Sequence, residues 1–259
     1  MLLNKDIDPI FTTAVWRDGD KGYGCAANIN GLFEIDFVNK SCSFIHFFSD
    51  EDVRGNELYT SMIPYGESLI LLPGSAEYLM IFDKEKKIFR KVNVRNTKLT
   101  PWQDYAKYGD AIVNDNMLLL LPERYSYIAK VDINTFNVEY IDLDNEELTW
   151  IPRNTIIEGG LLKLVSTDKK SLLVFNKRTG KVNIQSFNGN KTRINASKDS
   201  KQIVDYSKIR FEFKEGRDEY WNSVFASYEK QGAVTVNEET DWISFSDMVS
   251  YVEWKKKND

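Results

Sequence analysis

The side chains that could perform nucleophilic or metal chemistry are few in this chain. His46 is the only histidine, and Cys25 and Cys42 are the only cysteines among 259 residues. With one histidine on a predicted outer strand, we expect neither a histidine-based triad nor a multi-histidine metal site. The two cysteines lack metal-ligand spacing and a second histidine that could activate them, so they are interpreted as reduced packing residues.

Carboxylates are the remaining source of catalysis. A glycosidase needs two carboxyl groups facing each other across a cleft, and carboxylates such as Asp104 or Glu123 are candidates for this alternative, a carbohydrate-active hydrolase or lyase. A nucleotide-binding glycine motif is absent, and the turn Asp18–Gly22 lacks most ligands of a calcium loop. We therefore expect no cofactor and no metal, and we favour a non-catalytic protein.

Composition restricts the class of protein further. Hydrophobic residues make up 42% of the chain, which is enough for a core, and the net charge is −5. A mildly acidic surface argues against nucleic-acid binding, which needs clustered Lys and Arg. The N-terminus has no apolar leader, and the apolar runs are too short for a bilayer. These features predict a cytoplasmic location without a membrane partner, and they leave the oligomeric state open.

Four segments of the chain share one pattern, and this repeat predicts the fold. Each segment has an apolar strand, a short loop, a second apolar strand that ends in Asp or Asn, a polar turn and a third strand. The last residues of the second strands are 47, 49 and 44 positions apart, and a preceding strand always ends ten residues earlier. The second strands are Leu32–Asp36, Leu79–Asp83, Ile128–Asp132 and Leu172–Asn176.

An additional strand before each pattern completes a four-stranded antiparallel unit. Four such strands at a period of 40–50 residues are typical of propeller blades. We therefore predict an all-β fold, a β-propeller-like array of about four clear blades plus a degenerate one, with a C-terminal helical tail. The alternative is a β-sandwich or a stacked meander, which would show even strands without a long internal period.

The four repeats also resemble a known family. The strand that ends in Asp or Asn, such as Leu79–Asp83, is the second strand of the pattern and the third strand of the completed four-stranded unit. It is similar to the "small apolar-Φ-Φ-Asp" third strand of Kelch-like bacterial β-propeller proteins. The resemblance covers residues 11–187, although only the fourth repeat has a glycine doublet, Gly159-Gly160, and no repeat has the Trp-Asp pair of WD40 blades. The resemblance implies the propeller fold and transfers no activity.

The chain is predicted to have two parts within one domain. Residues 1–187 form the four repeats, and residues 188–259 form a degenerate blade or closing segment with two short helices. The second part contains an alternating strand at 209–213, a helical face at 220–228, a strand at 233–236 and a last helix that runs through Trp254 and ends in the lysines at 255–257. It supplies a fifth blade, caps an open edge or contacts a partner chain, and the sequence leaves these three alternatives open.

Propeller geometry places the recognition surface on the loops between the second and third strands of each blade and on the connections between blades. These segments carry Trp, Arg, Tyr and amide side chains, which suit a protein, peptide or glycan partner. The alternative for Trp102 and Trp150 is that they are wedges between blades. The predicted binding residues are Asn28, Asn30, Arg54, Glu77, Trp102, Arg124, Tyr125, Trp150 and Arg153.

Overall fold

The described part of the chain has an all-β, propeller-like fold, with four sheets that each contain four consecutive antiparallel strands. Within every sheet the strands are hydrogen-bonded in chain order, as the repeat predicts. The structure is a computed structural model. It describes residues 7–52, 57–95, 107–143, 149–152, 155–187 and 206–230.

The strand bounds follow the predicted pattern closely. The first sheet contains β1 (Phe11–Asp18), β2 (Lys21–Ala26), β3 (Leu32–Asp36) and β4 (Ser41–His46). The second contains β5 (Tyr59–Tyr65), β6 (Ser68–Pro73), β7 (Tyr78–Asp83) and β8 (Ile88–Asn93). The third contains β9 (Tyr108–Asn114), β10 (Met117–Pro122), β11 (Tyr127–Asp132) and β12 (Val138–Asp142). The fourth contains β13 (Ile156–Glu158), β14 (Leu161–Val165), β15 (Ser171–Asn176) and β16 (Val182–Ser186).

The described residues divide into two compact units. The first unit comprises residues 7–12, 17–52 and 206–230, and the second comprises residues 13–16 and 57–187. The first unit therefore joins the beginning of the chain to its C-terminal segment, and the second contains the second, third and fourth sheets.

Burial explains why the strands differ in composition. Leu69 and Leu72 of β6 and Leu118 and Leu121 of β10 are fully buried, because these central strands have neighbours on both faces. The outer strand β8 exposes four of its six residues and buries Val92. The continuous apolar runs thus mark central strands, and the polar strands mark the sheet edges.

The Asp or Asn that ends the third strand of each sheet closes the following turn. Its side-chain oxygen accepts hydrogen bonds from the backbone N–H groups two and three residues later; for Asp132 Oδ1 both N···O distances, from Asn134 and Thr135, are 2.9 Å. The same pattern occurs at Asp36, Asp83 and Asn176. Four positions after each of these residues the backbone has a positive φ, at Lys40, Lys87, Phe136 and Gly180. The Asp or Asn of each repeat therefore stabilises the turn that joins the third strand to the fourth.

Replacement of Asp132 should show how much this turn contributes to the stability of the fold. The hydrogen bonds from Thr135 and Asn134 lower the pKa of Asp132, so its carboxylate stabilises the fold above its unfolded-state pKa. That contribution disappears as the pH falls through the lower, folded-state pKa. We expect Asp132→Ala to reduce the urea midpoint at neutral pH. Asp132→Asn introduces the residue that occurs at the equivalent position 176, and we expect this variant to keep most of the wild-type urea midpoint. The difference in urea midpoint between the wild type and Asp132→Asn should shrink as the pH falls from about 5 to about 3. A wild-type advantage that does not change over this range would contradict this account.

The C-terminal segment completes the first sheet. Strand β17 (Glu212–Glu215) pairs in parallel with β4, and Phe213 lies opposite Cys42. Phe211 and Phe213 are buried while Arg210 and Glu212 are exposed, which is the alternation that the sequence predicts, although the ladder itself begins only at Glu212. A parallel fifth strand thus lies beside β4 in the first unit.

The helix α1 (Arg217–Lys230) follows and contains the predicted helical face. Tyr220, Trp221 and Phe225 are buried, and Phe33 forms edge-on contacts with Phe11, Phe44 and Phe213 at ring-centroid distances of 5.3–5.8 Å. This aromatic cluster is the core of the first unit. The strand at 233–236 and the last helix to Trp254 lie outside the described residues.

Asp8 connects the segment before β1 to the segment that contains β17 and the start of α1. Its carboxylate accepts hydrogen bonds from Arg210 Nε at 2.9 Å and from an Arg217 guanidinium nitrogen at 3.3 Å. Partial burial acts to raise the pKa of Asp8, but the hydrogen bonds from Arg210 and from the Phe213 amide outweigh it and lower the pKa. The ion pairs therefore support the apolar contacts that hold β17 and α1 on the first sheet.

Candidate functional site

Three successive loops form one edge of the sheets in the second unit, and we call this set the loop edge. Each loop joins the second strand of its sheet to the third. They comprise residues 74–77, 123–126 and 166–170. The turns that follow the third strands lie at the opposite end of the same sheets, because the strands are antiparallel.

The first loop is fixed on both sides. The Gly74 and Ala76 amides donate to the Leu58 carbonyl at 2.7 and 3.1 Å, and the Lys107 ammonium donates to loop carbonyls. Gly74 is needed for this close approach, since a Cβ there would lie 2.6 Å from the Glu57 carbonyl oxygen. The loop therefore has one well-determined conformation.

The second and third loops are also hydrogen-bonded to neighbouring segments. The Glu123 amide donates to the Lys107 carbonyl at 2.9 Å, and the Trp150 amide donates to the Glu123 carbonyl at 2.7 Å. The Thr167 amide then donates to the Thr149 carbonyl at 2.9 Å. These backbone bonds connect the loops to the segments that precede the third and fourth sheets, so the loop edge is a fixed surface.

The third loop has an additional internal turn. Asp168 accepts hydrogen bonds from the Ser166 hydroxyl at 2.5 Å and from the Lys170 amide at 2.9 Å, and these bonds lower the pKa of Asp168. Thr167, Lys169 and Lys170 are exposed. The turn thus directs charged side chains into solvent.

Charged side chains of both signs stand at the tips of the three loops. Glu77 forms an ion pair with Arg95, and both side chains are 41% exposed. Arg124 is exposed at the tip of the second loop. The loop edge therefore offers fixed, solvent-accessible charges from three consecutive sheets.

The structure places two other predicted binding residues of the second unit inside the protein. Tyr125 is fully buried, with its ring edge-on to Tyr108 at 5.1 Å and Tyr127 at 5.7 Å. Trp150 is 1% exposed and packs in a cluster with Leu121 and Leu162. These positions correspond to packing between strands, and a contact with a ligand stays a prediction for both.

Asn28 and Asn30 lie in the first unit, so the structure does not bring them to the loop edge. The Asn30 amide donates to the Phe48 and Asp52 carbonyls at 3.0 and 2.9 Å, and its oxygen accepts from the Phe48 amide at 3.0 Å. Asn28 bonds in the same way to the backbone of Asp8 and Ile10. Both amides hold backbone segments in place. Arg54, Trp102 and Arg153, predicted for binding, lie outside the described residues, as does Asp104 of the enzyme alternative.

The histidine and the two cysteines are partly or fully buried. His46 lies half-buried on β4 beside Phe48, and burial lowers its pKa. Burial raises the pKa of Cys25 well above its ordinary value, and burial together with the charge of Asp8 raises the pKa of Cys42 to about 12. Neither thiol is thus activated as a nucleophile.

Two absences apply to the described residues only. Across these ranges, no group of three or more His, Cys, Asp or Glu side chains is arranged to hold a metal ion. Within the same part of the chain, no helix has the length and hydrophobicity that crossing a bilayer requires.

Sequence analysis missed Lys107 as a member of this edge. Its side chain is fully buried and its ammonium contacts the first loop. The local sequence around Lys107 does not indicate this contact, because the carbonyl groups that accept hydrogen bonds from its ammonium lie more than thirty positions earlier.

Comparison with known proteins finds distant similarity to solved structures. No protein-family model and no curated protein matches the chain. Similar solved structures include the computationally designed Ika8 protein (9% identity, TM-score 0.46) and the extracellular domain of a putative one-component system from B. thetaiotaomicron (10%, 0.47). An auxiliary nutrient binding protein from Bacteroides thetaiotaomicron VPI-5482 is a third (10%, 0.44).

These alignments cover 67%, 70% and 69% of this chain and 48%, 24% and 42% of the respective matched chains. The chain therefore spans about half the length of these structures or less. At such identities and TM-scores the similarity carries no argument about function. The four sheets support the propeller-like part of the family resemblance, whereas the Kelch part finds no support because no family model matches.

Proposed function

We propose that this protein is a non-catalytic recognition module that binds a protein, peptide or glycan partner through the loop edge. The observation that carries this proposal is that three consecutive loops, each held by backbone hydrogen bonds, present the charged side chains of Glu77, Arg124 and Lys170 to solvent. Loops on a rigid scaffold can bind a partner without a large loss of conformational entropy.

Charge reversal at the loop tips tests this proposal. The loop-edge variant carries Glu77→Lys, Arg124→Glu and Lys170→Glu, and the control carries Glu85→Lys, Arg178→Glu and Lys181→Glu at the opposite turns. Both variants change the net charge by the same amount, and the control positions are exposed. Ligands that the wild type binds on glycan and peptide arrays should bind the loop-edge variant at least about tenfold more weakly, because each lost charged contact at a binding surface weakens affinity.

The control variant should bind those ligands like the wild type. Equal losses in the two variants, or full binding by the loop-edge variant, would refute the loop edge as the binding surface. Arrays on which the wild type binds neither a glycan nor a peptide would count against those two partner classes.

The enzyme alternative receives no comparable support. Glu123 is half-buried, and its Oε2 lies 2.8 Å from the position of a Cβ added to Gly109. A glycosidase needs a second carboxyl group that faces the first across a cleft, and Asp104, the other candidate, lies outside the described residues. Hydrolysis therefore stays the second hypothesis, and the cytoplasmic location and the assignment of residues 188–259 as a closing segment stay predictions.

A further inference from the structure

Three consecutive backbone carbonyls of the first loop converge on one side chain. The Lys107 ammonium lies 3.4 Å from the Gly74 oxygen, 3.1 Å from the Ser75 oxygen and 3.0 Å from the Ala76 oxygen. The Lys107 side chain is fully buried. The carbonyls therefore face a buried cation.

The amide side of the same loop is also bonded. The N–H groups of Gly74 and Ala76 donate to the Leu58 carbonyl, and that of Ser75 donates to the Glu57 carbonyl at 3.3 Å. The loop is thus held between the chain at 57–58 and Lys107. Its amides report directly on this conformation, since they exchange with solvent only when these hydrogen bonds open.

Lys107 also connects the first loop to the second through its backbone. Its amide donates to the Gly74 carbonyl at 3.2 Å, and its carbonyl accepts from the Glu123 amide at 2.9 Å. One residue therefore contacts two of the three loops of the loop edge.

An ammonium suits this arrangement better than the other side chains. It carries three N–H donors that rotate about a flexible stem, and charge-assisted hydrogen bonds to carbonyls are strong. A guanidinium presents its donors in a planar fork, which does not match three oxygens around one point. An apolar side chain would leave buried carbonyls without a donor, which is costly.

We propose that Lys107 is the positioning residue of the loop edge: its ammonium sets the conformation in which the first loop presents Glu77. The biological meaning of this role rests on the proposed function, because Glu77 is one of the charges offered to the partner. The conformational role itself does not depend on a ligand.

Hydrogen exchange of Lys107→Met tests this role. Methionine keeps a similar length and removes the charge and all donors. We expect the amides of residues 74–77 to exchange roughly tenfold faster or more than in the wild type, because the Ser75 and Ala76 carbonyls lose the ammonium donor, while the Gly74 carbonyl keeps only the backbone amide of residue 107. The control is Leu162→Ala, which removes a fully buried side chain of the fourth sheet and should not accelerate these amides selectively.

Chemical rescue supplies a second, independent readout. In Lys107→Ala, n-propylammonium can restore the missing ammonium, whereas tetramethylammonium has the same charge and no donor. We expect n-propylammonium alone to slow the exchange of residues 74–77 again. If the variants do not fold by themselves, recovery of folding by n-propylammonium but not by tetramethylammonium supports the proposal.

Two results would overturn the positioning role. One is that Lys107→Met accelerates hydrogen exchange uniformly along the chain, as Leu162→Ala does. The other is that n-propylammonium and tetramethylammonium change the exchange of residues 74–77 in Lys107→Ala equally. Neither readout uses a partner. The two proposals can therefore fail separately. If the loop-edge variant binds the array ligands like the wild type while Lys107→Met selectively accelerates the exchange of residues 74–77, the proposed function is refuted and the role of Lys107 stands.

Discussion

Phe213→Ala is expected to lower the free energy of unfolding by about 3–5 kcal/mol, the usual cost of removing a buried aromatic side chain. Phe213 is 4% exposed and its ring lies 5.3 Å from Phe33 and 6.1 Å from Tyr220. The substitution would open a cavity in the aromatic cluster where β17 and α1 meet the first sheet. Urea denaturation followed by circular dichroism measures the change.

Lys214→Ala is the matched control on the same strand. Lys214 is exposed, so its replacement should change the free energy of unfolding by no more than about 0.5 kcal/mol. If Phe213→Ala cost no more than this control, the C-terminal segment would not belong to the core of the first unit.

Trp150→Ala should also cost about 3–5 kcal/mol, because the indole is buried among leucines of the third and fourth sheets. The Trp150 Nε1 atom has no hydrogen-bond partner within the described part of the chain. Trp150→Phe therefore loses apolar contacts but no hydrogen bond, and we expect a smaller loss of stability. The same urea titrations measure both variants.

Arg124→Ala provides the comparison at the loop tip. Its exposed position predicts a change in stability within about 0.5 kcal/mol. A Trp150→Ala variant that keeps its stability but loses an array ligand would reverse this assignment and make Trp150 a binding residue.

The repeated architecture could be predicted from sequence because its signals are local. Apolar runs such as Leu69–Leu72 mark central strands, and the residue that ends each third strand forms a turn with its own neighbours. Such signals depend on residues two to ten positions apart, so a single sequence contains them.

The candidate site was less predictable because residue type does not reveal the partner of a polar group. The side-chain amide of Asn30 could hydrogen-bond a ligand or a backbone segment equally well. In the structure it donates to the backbone carbonyls of Phe48 and Asp52. The contact of Lys107 with the first loop likewise depends on chain segments that are distant in sequence.

The pairing of the C-terminal strand also required the structure. The alternation at 209–213 predicts a strand but not its neighbour, and aromatic packing around Phe33 brings β17 to β4 over 170 positions. Long-range apolar contacts of this kind leave no local pattern.

The most direct test of the loop edge as a recognition surface is hydrogen exchange with and without an array ligand. The account predicts slower exchange on binding within residues 74–77, 123–126 and 166–170, with no change in the turns at 83–87 and 176–180. Protection confined to those turns, or protection that leaves all three loops unchanged, would contradict it.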